Sequence, residues 1–188
     1  MCLRAVTAIL FISLISPLSA FCADIRTPDL IPPVDPVPPK SYVEISISGR
    51  RLTVYETNGV GERVPVAQYP VGTVARGLDT YPLGPGQVTG IYFDPWWYPT
   101  AYTREAFRER GIELPAKVPP GHRLNYMGSV KIALSHKTWK GSIYRIHGNN
   151  DPKRVGRRVT GGCFVMNNKD GLALARKIKV GTEVNILP

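Results

Sequence analysis

The side chain best suited to covalent chemistry in this sequence is Cys163, set in GRRVTGGCFVMNN, Gly156 to Asn168, between glycines and an apolar run. A thiolate is a strong nucleophile once an imidazole nearby takes its proton, and His147 in RIHGNN is the partner this chain offers. Gly161 and Gly162 leave room for a substrate carbonyl beside the backbone, so the amides around Cys163 are candidates to hold the oxyanion of a tetrahedral intermediate. Read this way, the segment carries acyl transfer through a thioester. The other reading is a spare thiol packed in a core, which residue types alone leave open. His122 and His136 form no H-x-x-x-H pair, and there is no C-x-x-C, so no metal is expected. Thiol and imidazole suffice for acyl transfer, so no organic cofactor is expected either.

The other cysteines lie near the N-terminus. Arg4 precedes an apolar stretch, Ala5 to Ala20, interrupted by Thr, Ser and Pro17 and shorter than the ~20 residues of a spanning helix. Residues 1–23 are therefore expected to be a secretory signal peptide, cut after Ala20 or Ala23, with no stable membrane insertion afterwards. Cys2 leaves with it, and Cys22 leaves if the later cut is used. Phe21 before Cys22 argues against lipid modification. The expected address is the periplasm or cell envelope, where an unpaired cysteine needs a reason.

Lys+Arg number 24 against Asp+Glu 14, a formal charge of +10. Much of the excess comes late, including Arg145, Lys153, Arg154, Arg157 and Arg158. Such a field attracts anions. The basic residues are not interleaved with aromatics, so nucleic acid is not the expected partner, and an envelope polymer rich in carboxylates is.

Positioning these residues requires a sheet. Gly 18 and Pro 18 imply many turns. Residues 24–40 read as a Pro-rich, semi-rigid linker and 41–188 as one domain. Alternation in YVEISISG and RLTVYE predicts a hairpin turning at Gly49 and Arg50. Further strands are expected at 63–72, 86–93, 129–134, 143–148, 163–166 and 183–187, giving a mostly antiparallel sheet or sandwich. Two short helices cover it, one with Thr103 as cap and a stop at Gly111, the other capped by Asn168. In the aromatic connection DPWWYPTAY, Trp96 and Trp97 are read as core, while Tyr98 and Tyr102 are candidates to stack on a sugar or peptide.

The string IHGNN, a basic loop, RRVTGGCFVMNNKDG and a closing VGTEVNI resembles the L,D-transpeptidase catalytic domain, also called the YkuD domain. Upstream, YVEISISGRRLTVYE is similar to that family's opening hairpin, QYPVGT to its next strand, TYPLGPGQVTG to its threonine-proline-glycine turn, and VPPGHRLNYMGSVKIAL to the segment before its histidine. The resemblance runs from about Tyr42 to the C-terminus. It implies a mostly β, sandwich-like fold with short covering helices, and a cysteine acyltransferase acting on peptidoglycan stem peptides. The family's cysteine attacks the carbonyl of a diamino acid in the stem tetrapeptide and expels terminal D-alanine. The acyl group then passes to an amine of a second stem or a protein, or to water.

Carried over by position, Cys163 is the nucleophile, His147 the general base, and Gly148 the residue whose carbonyl orients the imidazole. Amides of Gly162 and Cys163 form the oxyanion hole. Thr160, Gly161, Arg157, Arg158 and Tyr98 are expected at the substrate site. This sequence departs from the family pattern where Gly161 lacks a second histidine and Val165 replaces a residue that often carries arginine, a charge that Arg157 and Arg158 are candidates to replace. An activated thiolate is expected to react below the ~8.5 of free cysteine. The rival readings are an L,D-carboxypeptidase or amidase of the same fold, and a non-catalytic wall-binding domain.

Overall fold

In Ser41–Ser46 (β1), Val43 and Ile45 are fully buried, and in Arg51–Thr57 (β2), Leu52 and Val54 are. The strands pair antiparallel with Val43 opposite Val54 and Ile45 opposite Leu52, so the alternation in the sequence becomes one apolar face. Gly49 and Arg50 lie in the turn between them, as expected: Gly49 N–H donates to Ser46 Oγ at 3.0 Å, and Arg50 takes φ 50°, its carbonyl accepting from Val71 N–H at 2.9 Å. The computed structural model describes residues 40–77, 83–137 and 143–188. The expected leader, nearly all of the expected linker, Cys22 and part of the threonine-proline-glycine turn lie outside the described residues.

The remaining strands are Arg63–Pro70 (β3), Thr73–Val74 (β4), Gly84–Phe93 (β5), Val130–Lys137 (β6), Ile143–His147 (β7), Arg158–Thr160 (β8), Phe164–Val165 (β9) and Glu183–Leu187 (β10). An eight-stranded sheet runs β3-β2-β1-β10-β5-β6-β7-β9, with β4 and β8 forming a separate parallel pair. Val43 and Ile45 at one end share a single core with Ile132, Ile146 and Phe164 at the other. Strands so far apart in the order meet only if the sheet curls over on itself, which gives the mostly β, sandwich-like architecture that was expected.

Among the described residues there are two α-helices, and one of them packs on this sheet. In Asn168–Lys177 (α2), Leu174 and Ala175 add to the main core. Ala101–Arg108 (α1) buries no residue fully, but Phe107 and Tyr126 pack at 5.2 Å edge to face against a second small core of Trp97, Leu114 and Val118. Trp97 and Val118 exchange backbone hydrogen bonds of 3.0 and 2.8 Å, which pins the long aromatic connection to itself.

Three local expectations are corrected. Thr100, not Thr103, caps α1, its hydroxyl accepting from Thr103 N–H at 3.1 Å. Trp96 is 45% exposed whereas Trp97 is core, because neighbouring residues on an extended segment point to opposite sides. The N-cap of α2 is Asn167, and Asn168 does something else, described below. Among the described residues no helix is long and apolar enough to cross a membrane.

Candidate active site

Strands β7 and β9 run parallel, with Ile146 opposite Phe164 and His147 opposite Val165, and Met166 N–H donates to the His147 carbonyl at 2.8 Å. Ile146 and Phe164 are fully buried in the core. The alternate positions face the other way, so Arg145, His147, Cys163 and Val165 all line one groove. The groove has a volume of about 900 Å³, and its outer wall comes from the aromatic connection and α1, including Tyr98, Tyr102 and Phe107. The sheet thus brings together a histidine and a cysteine that are distant in sequence.

The imidazole of His147 is buried, and its Nδ1 donates to the carbonyl of Gly148 at 2.6 Å. A carbonyl only accepts, so Nδ1 carries the proton and Nε2 keeps its lone pair. Burial pushes the His147 pKa down to about 4; the bond to Gly148 opposes this, and the charges of Arg154 and Arg145 add to it. At neutral pH the ring is therefore an unprotonated base. Burial also raises the Cys163 thiol, outweighing Arg145, which lowers it by charge and by hydrogen bonding to the sulfur, and the weaker charge of Arg154. The resting thiol is protonated, contrary to the expected low-pKa thiolate, because desolvation outweighs the neighbouring cations.

Thr160 sets the turn before the cysteine. Its buried hydroxyl donates to the Cys163 carbonyl at 2.7 Å and accepts from Gly162 N–H at 3.2 Å. Gly162 has φ 141°, and a Cβ there would sit 3.2 Å from the Tyr144 ring, so the position favours glycine. Of the two amides expected at the oxyanion hole, that of Gly162 is committed to Thr160, whereas that of Cys163 makes no hydrogen bond among the described residues. Gly161 is exposed, with nothing within 4 Å of where a Cβ would stand, so the absent side chain leaves open groove.

The loop after His147 is held by two asparagines: Asn149, for which the sequence raised no expectation, and Asn168, which was expected to cap α2. Asn168 Oδ1 accepts from Ser129 N–H at 3.1 Å and from Asn149 N–H at 3.0 Å. Asn149, itself buried, donates its side-chain amide to the Met166 carbonyl at 2.7 Å, tying the histidine loop to the strand that follows the cysteine. A Cβ on Gly148 would fall 2.1 Å from Asn168 Oδ1, so only glycine lets the two approach. The two asparagine doublets, one of them directly after Gly148, were the available signal, since such side chains bond readily to nearby backbone.

Of the residues expected at the site, Cys163, His147, Thr160, Gly161, Arg157 and Tyr98 line the groove, and Gly148 and Gly162 adjoin it through the contacts above. Arg158 does not line it. Its Nε donates to the Val74 carbonyl at 3.2 Å, and it opens on a neighbouring cavity with Ser48, Arg50 and Arg76. Arg145, Arg154 and Lys131 line the groove without having been expected there. His122 Nδ1 accepts from Leu124 N–H at 3.1 Å and His136 Nε2 bonds Gly84 O at 2.9 Å, both outside the groove. Among the described residues no three His, Cys, Asp or Glu side chains converge to hold a metal ion.

A family model described as the L,D-transpeptidase catalytic domain, YkuD, matches residues 40–186. The probable L,D-transpeptidase YcfS of Escherichia coli strain K12 is 36% identical over 155 residues, covering 81% of this chain and 45% of that protein. The probable L,D-transpeptidase ErfK/SrfK of Salmonella typhimurium strain LT2 is 34% identical over 173 residues, covering 83% and 53%. The chain spans about half the length of these curated relatives. Among solved structures, Bdellovibrio bacteriovorus Bd1075 superposes with a TM-score of 0.53 at 19% identity, over 79% of this chain and 48% of that one. L,D-transpeptidase 3 from Mycobacterium tuberculosis gives 0.50 at 14% identity, over 80% and 62%. At these identities the structural likeness is one of fold.

Proposed function

The chain belongs to the L,D-transpeptidase catalytic-domain family, and from that premise we propose that it is an exported cysteine acyltransferase that cross-links peptidoglycan through stem tetrapeptides. The observation that carries the reading is the placing of Cys163 and His147 on one groove-facing side of the β7–β9 ladder, with the imidazole fixed by Gly148 so that Nε2 is its basic atom.

The steps follow from that arrangement. As Cys163 Sγ attacks the carbonyl carbon of the stem's diamino acid, its proton passes to His147 Nε2 and the carbonyl π electrons move to oxygen. The free amide of Cys163 faces the charge that develops there; the second donor becomes available when Gly162 N–H exchanges its long bond to Thr160 for the oxyanion. Collapse of the intermediate breaks the bond to the terminal D-alanine, whose nitrogen takes the proton from His147. An amine of a second stem then attacks the thioester, giving its proton to the same Nε2 and releasing Cys163. Resting thiol and resting imidazole are both neutral, so proton transfer accompanies attack.

The basic lining from Arg145, Arg154 and Arg157 supports a substrate with free carboxylates. Signal cleavage within 1–23 and a linker over 24–40 complete the reading of an envelope enzyme. The test is incubation of purified protein with tetrapeptide muropeptides beside a Cys163→Ala control, with products followed by mass spectrometry. Cysteine-dependent D-alanine release with new stem dimers is the expected result. Release without dimers makes the protein an L,D-carboxypeptidase, and unchanged muropeptides with either protein overturn the enzymatic reading.

A further inference from the structure

We infer that Arg145 is the standing counter-charge of the Cys163 thiolate, so that His147 carries the proton without having to remain beside the sulfur as its cationic partner. This rests on the reading of Cys163 as the nucleophile. The geometry comes from the ladder: in a parallel pair with Ile146 opposite Phe164, the preceding positions are Arg145 and Cys163, on the groove side of adjacent strands. On its other flank Arg145 pairs with Ala133 of β6, a small side chain that leaves the guanidinium its space.

Arg145 is half-buried, and it has no ion-pair partner among the described residues, where the salt bridges involve only Glu183, Glu105 and Glu113. A guanidinium in that situation has an uncompensated charge, and the sulfur is the anion-forming group beside it. The other charged groups facing the groove are Lys131 from β6, Asp151, Lys153 and Arg154 from the turn after β7, Arg157 before β8 and Arg110 after α1. Three of these cations have other partners, among them the Arg110 guanidinium 5.8 Å over the ring of Phe107. Lys131 Nζ sits 4.0 Å over the ring of Tyr92, and the Arg154 guanidinium lies 5.6 Å over the ring of Tyr126. Of the two arginines that lower the thiol, Arg145 is the stronger influence and Arg154 the weaker.

The same two arginines act on His147 in the opposite sense. An imidazolium in this groove is disfavoured by burial and by both guanidiniums, so a resting thiolate–imidazolium pair is the unfavourable arrangement. When the S–H bond breaks, the proton goes to His147 Nε2 for the duration of the attack and then to the departing amine. Arg145 stays protonated throughout and holds the negative sulfur whenever it is exposed, including as the thioester is broken.

The experiment reads thiol chemistry without substrate. Alkylation of Cys163 by iodoacetamide is followed from acid to alkaline pH in the unmodified protein, Arg145→Gln, Arg145→Lys and His147→Gln, with near-ultraviolet circular dichroism to confirm folding. An opposite charge within reach shifts a pKa by about 1–3 units, so Arg145→Gln is expected to alkylate about tenfold more slowly or worse on the rising limb, with the curve displaced to higher pH. The plateau at high pH is equal or slightly higher, since a more basic thiolate is intrinsically more nucleophilic. Arg145→Lys is expected to keep most of the rate, and His147→Gln to stay within about twofold of the unmodified protein while losing muropeptide turnover. An unmoved Arg145→Gln curve overturns the inference. So does Arg145→Lys falling as far as Arg145→Gln, or His147→Gln moving the curve as much as Arg145→Gln. If the curves move as expected but muropeptides are never turned over, the function proposed above fails and the role of Arg145 toward the sulfur stands.

Discussion

Replacing Asn168 by alanine removes one side-chain oxygen that serves two backbone donors, Ser129 N–H at 3.1 Å and Asn149 N–H at 3.0 Å. Asn149 is 5% exposed, so its amide gains no water when the acceptor goes, whereas Ser129 is half-buried and recovers part of its hydration. An unsatisfied buried donor costs about 1–3 kcal/mol, and together the two losses come to roughly 2–4 kcal/mol. For a domain of this size each kcal/mol moves Tm by about 2–4 °C, so Asn168→Ala is expected to melt roughly 5–15 °C lower, with the urea m-value unchanged. Asn168→Asp keeps an oxygen in place beside the N-terminus of α2 and is expected to recover most of the loss. The assay is paired thermal and urea unfolding of both variants, with muropeptide turnover alongside. The loop held by Asn168 carries the Gly148 carbonyl, so turnover should fall in Asn168→Ala below the melting range. A Tm within about 2 °C of the unmodified protein would falsify the assignment of Asn168 as a structural acceptor.

Three further outcomes follow from the same contacts. His147 has a folded pKa of about 4 against 6.5 for the free side chain, so the unfolded chain binds more protons between these values and stability falls as pH drops from 6.5 toward 4. The loss amounts to roughly 3 kcal/mol, and urea midpoints measured across that window should fall less steeply in His147→Gln; equal slopes in the two proteins refute it. Thr160→Val removes the hydroxyl that joins Gly162 N–H to the Cys163 carbonyl, and unfolding titrations should show a loss of about 1–3 kcal/mol with lower turnover. Trp97→Ala empties the small core under α1 and should cost about 3–5 kcal/mol, whereas the exposed Trp96→Ala should stay within about 0.5 kcal/mol, a contrast that the same titrations read directly.

The sheet was legible where side chains alternate strictly. Val43, Ile45, Leu52 and Val54 announce two strands with one buried face, and the structure pairs them rung for rung. The order of the strands was not legible, because register between distant segments depends on which apolar faces meet, and no local pattern encodes that β10 inserts between β1 and β5 or that β7 lies beside β9. This is why Arg145 read only as one member of a late basic field. Its meaning comes from a neighbour across the ladder, not along the chain. The helix ends misled for a different reason. Thr100 and Thr103 are both sound capping residues, as are Asn167 and Asn168, and the choice is settled by where the connection is pinned by Trp97 and by the competing demand for Asn168 at the histidine loop. The protonation of Cys163 was also out of reach, since it turns on burial that sequence does not display.

The place of β10 has a consequence for the order in which the molecule can assemble. This strand is the last of the described strands in sequence, but it pairs with β1 on one side, Tyr42 opposite Glu183, and with β5 on the other, Gln87 opposite Glu183. Without Glu183–Leu187 in place, β1 and β5 are two open edges with nothing to join them, and the shared core cannot close. Folding of the domain therefore has to close loops over almost its whole length, from Tyr42 and from Gln87 to Glu183, and long-range pairing of that kind is slow. Deleting Glu183–Leu187 would remove a keystone from the middle of the sheet, where shortening β3 at the outer edge would only trim its border.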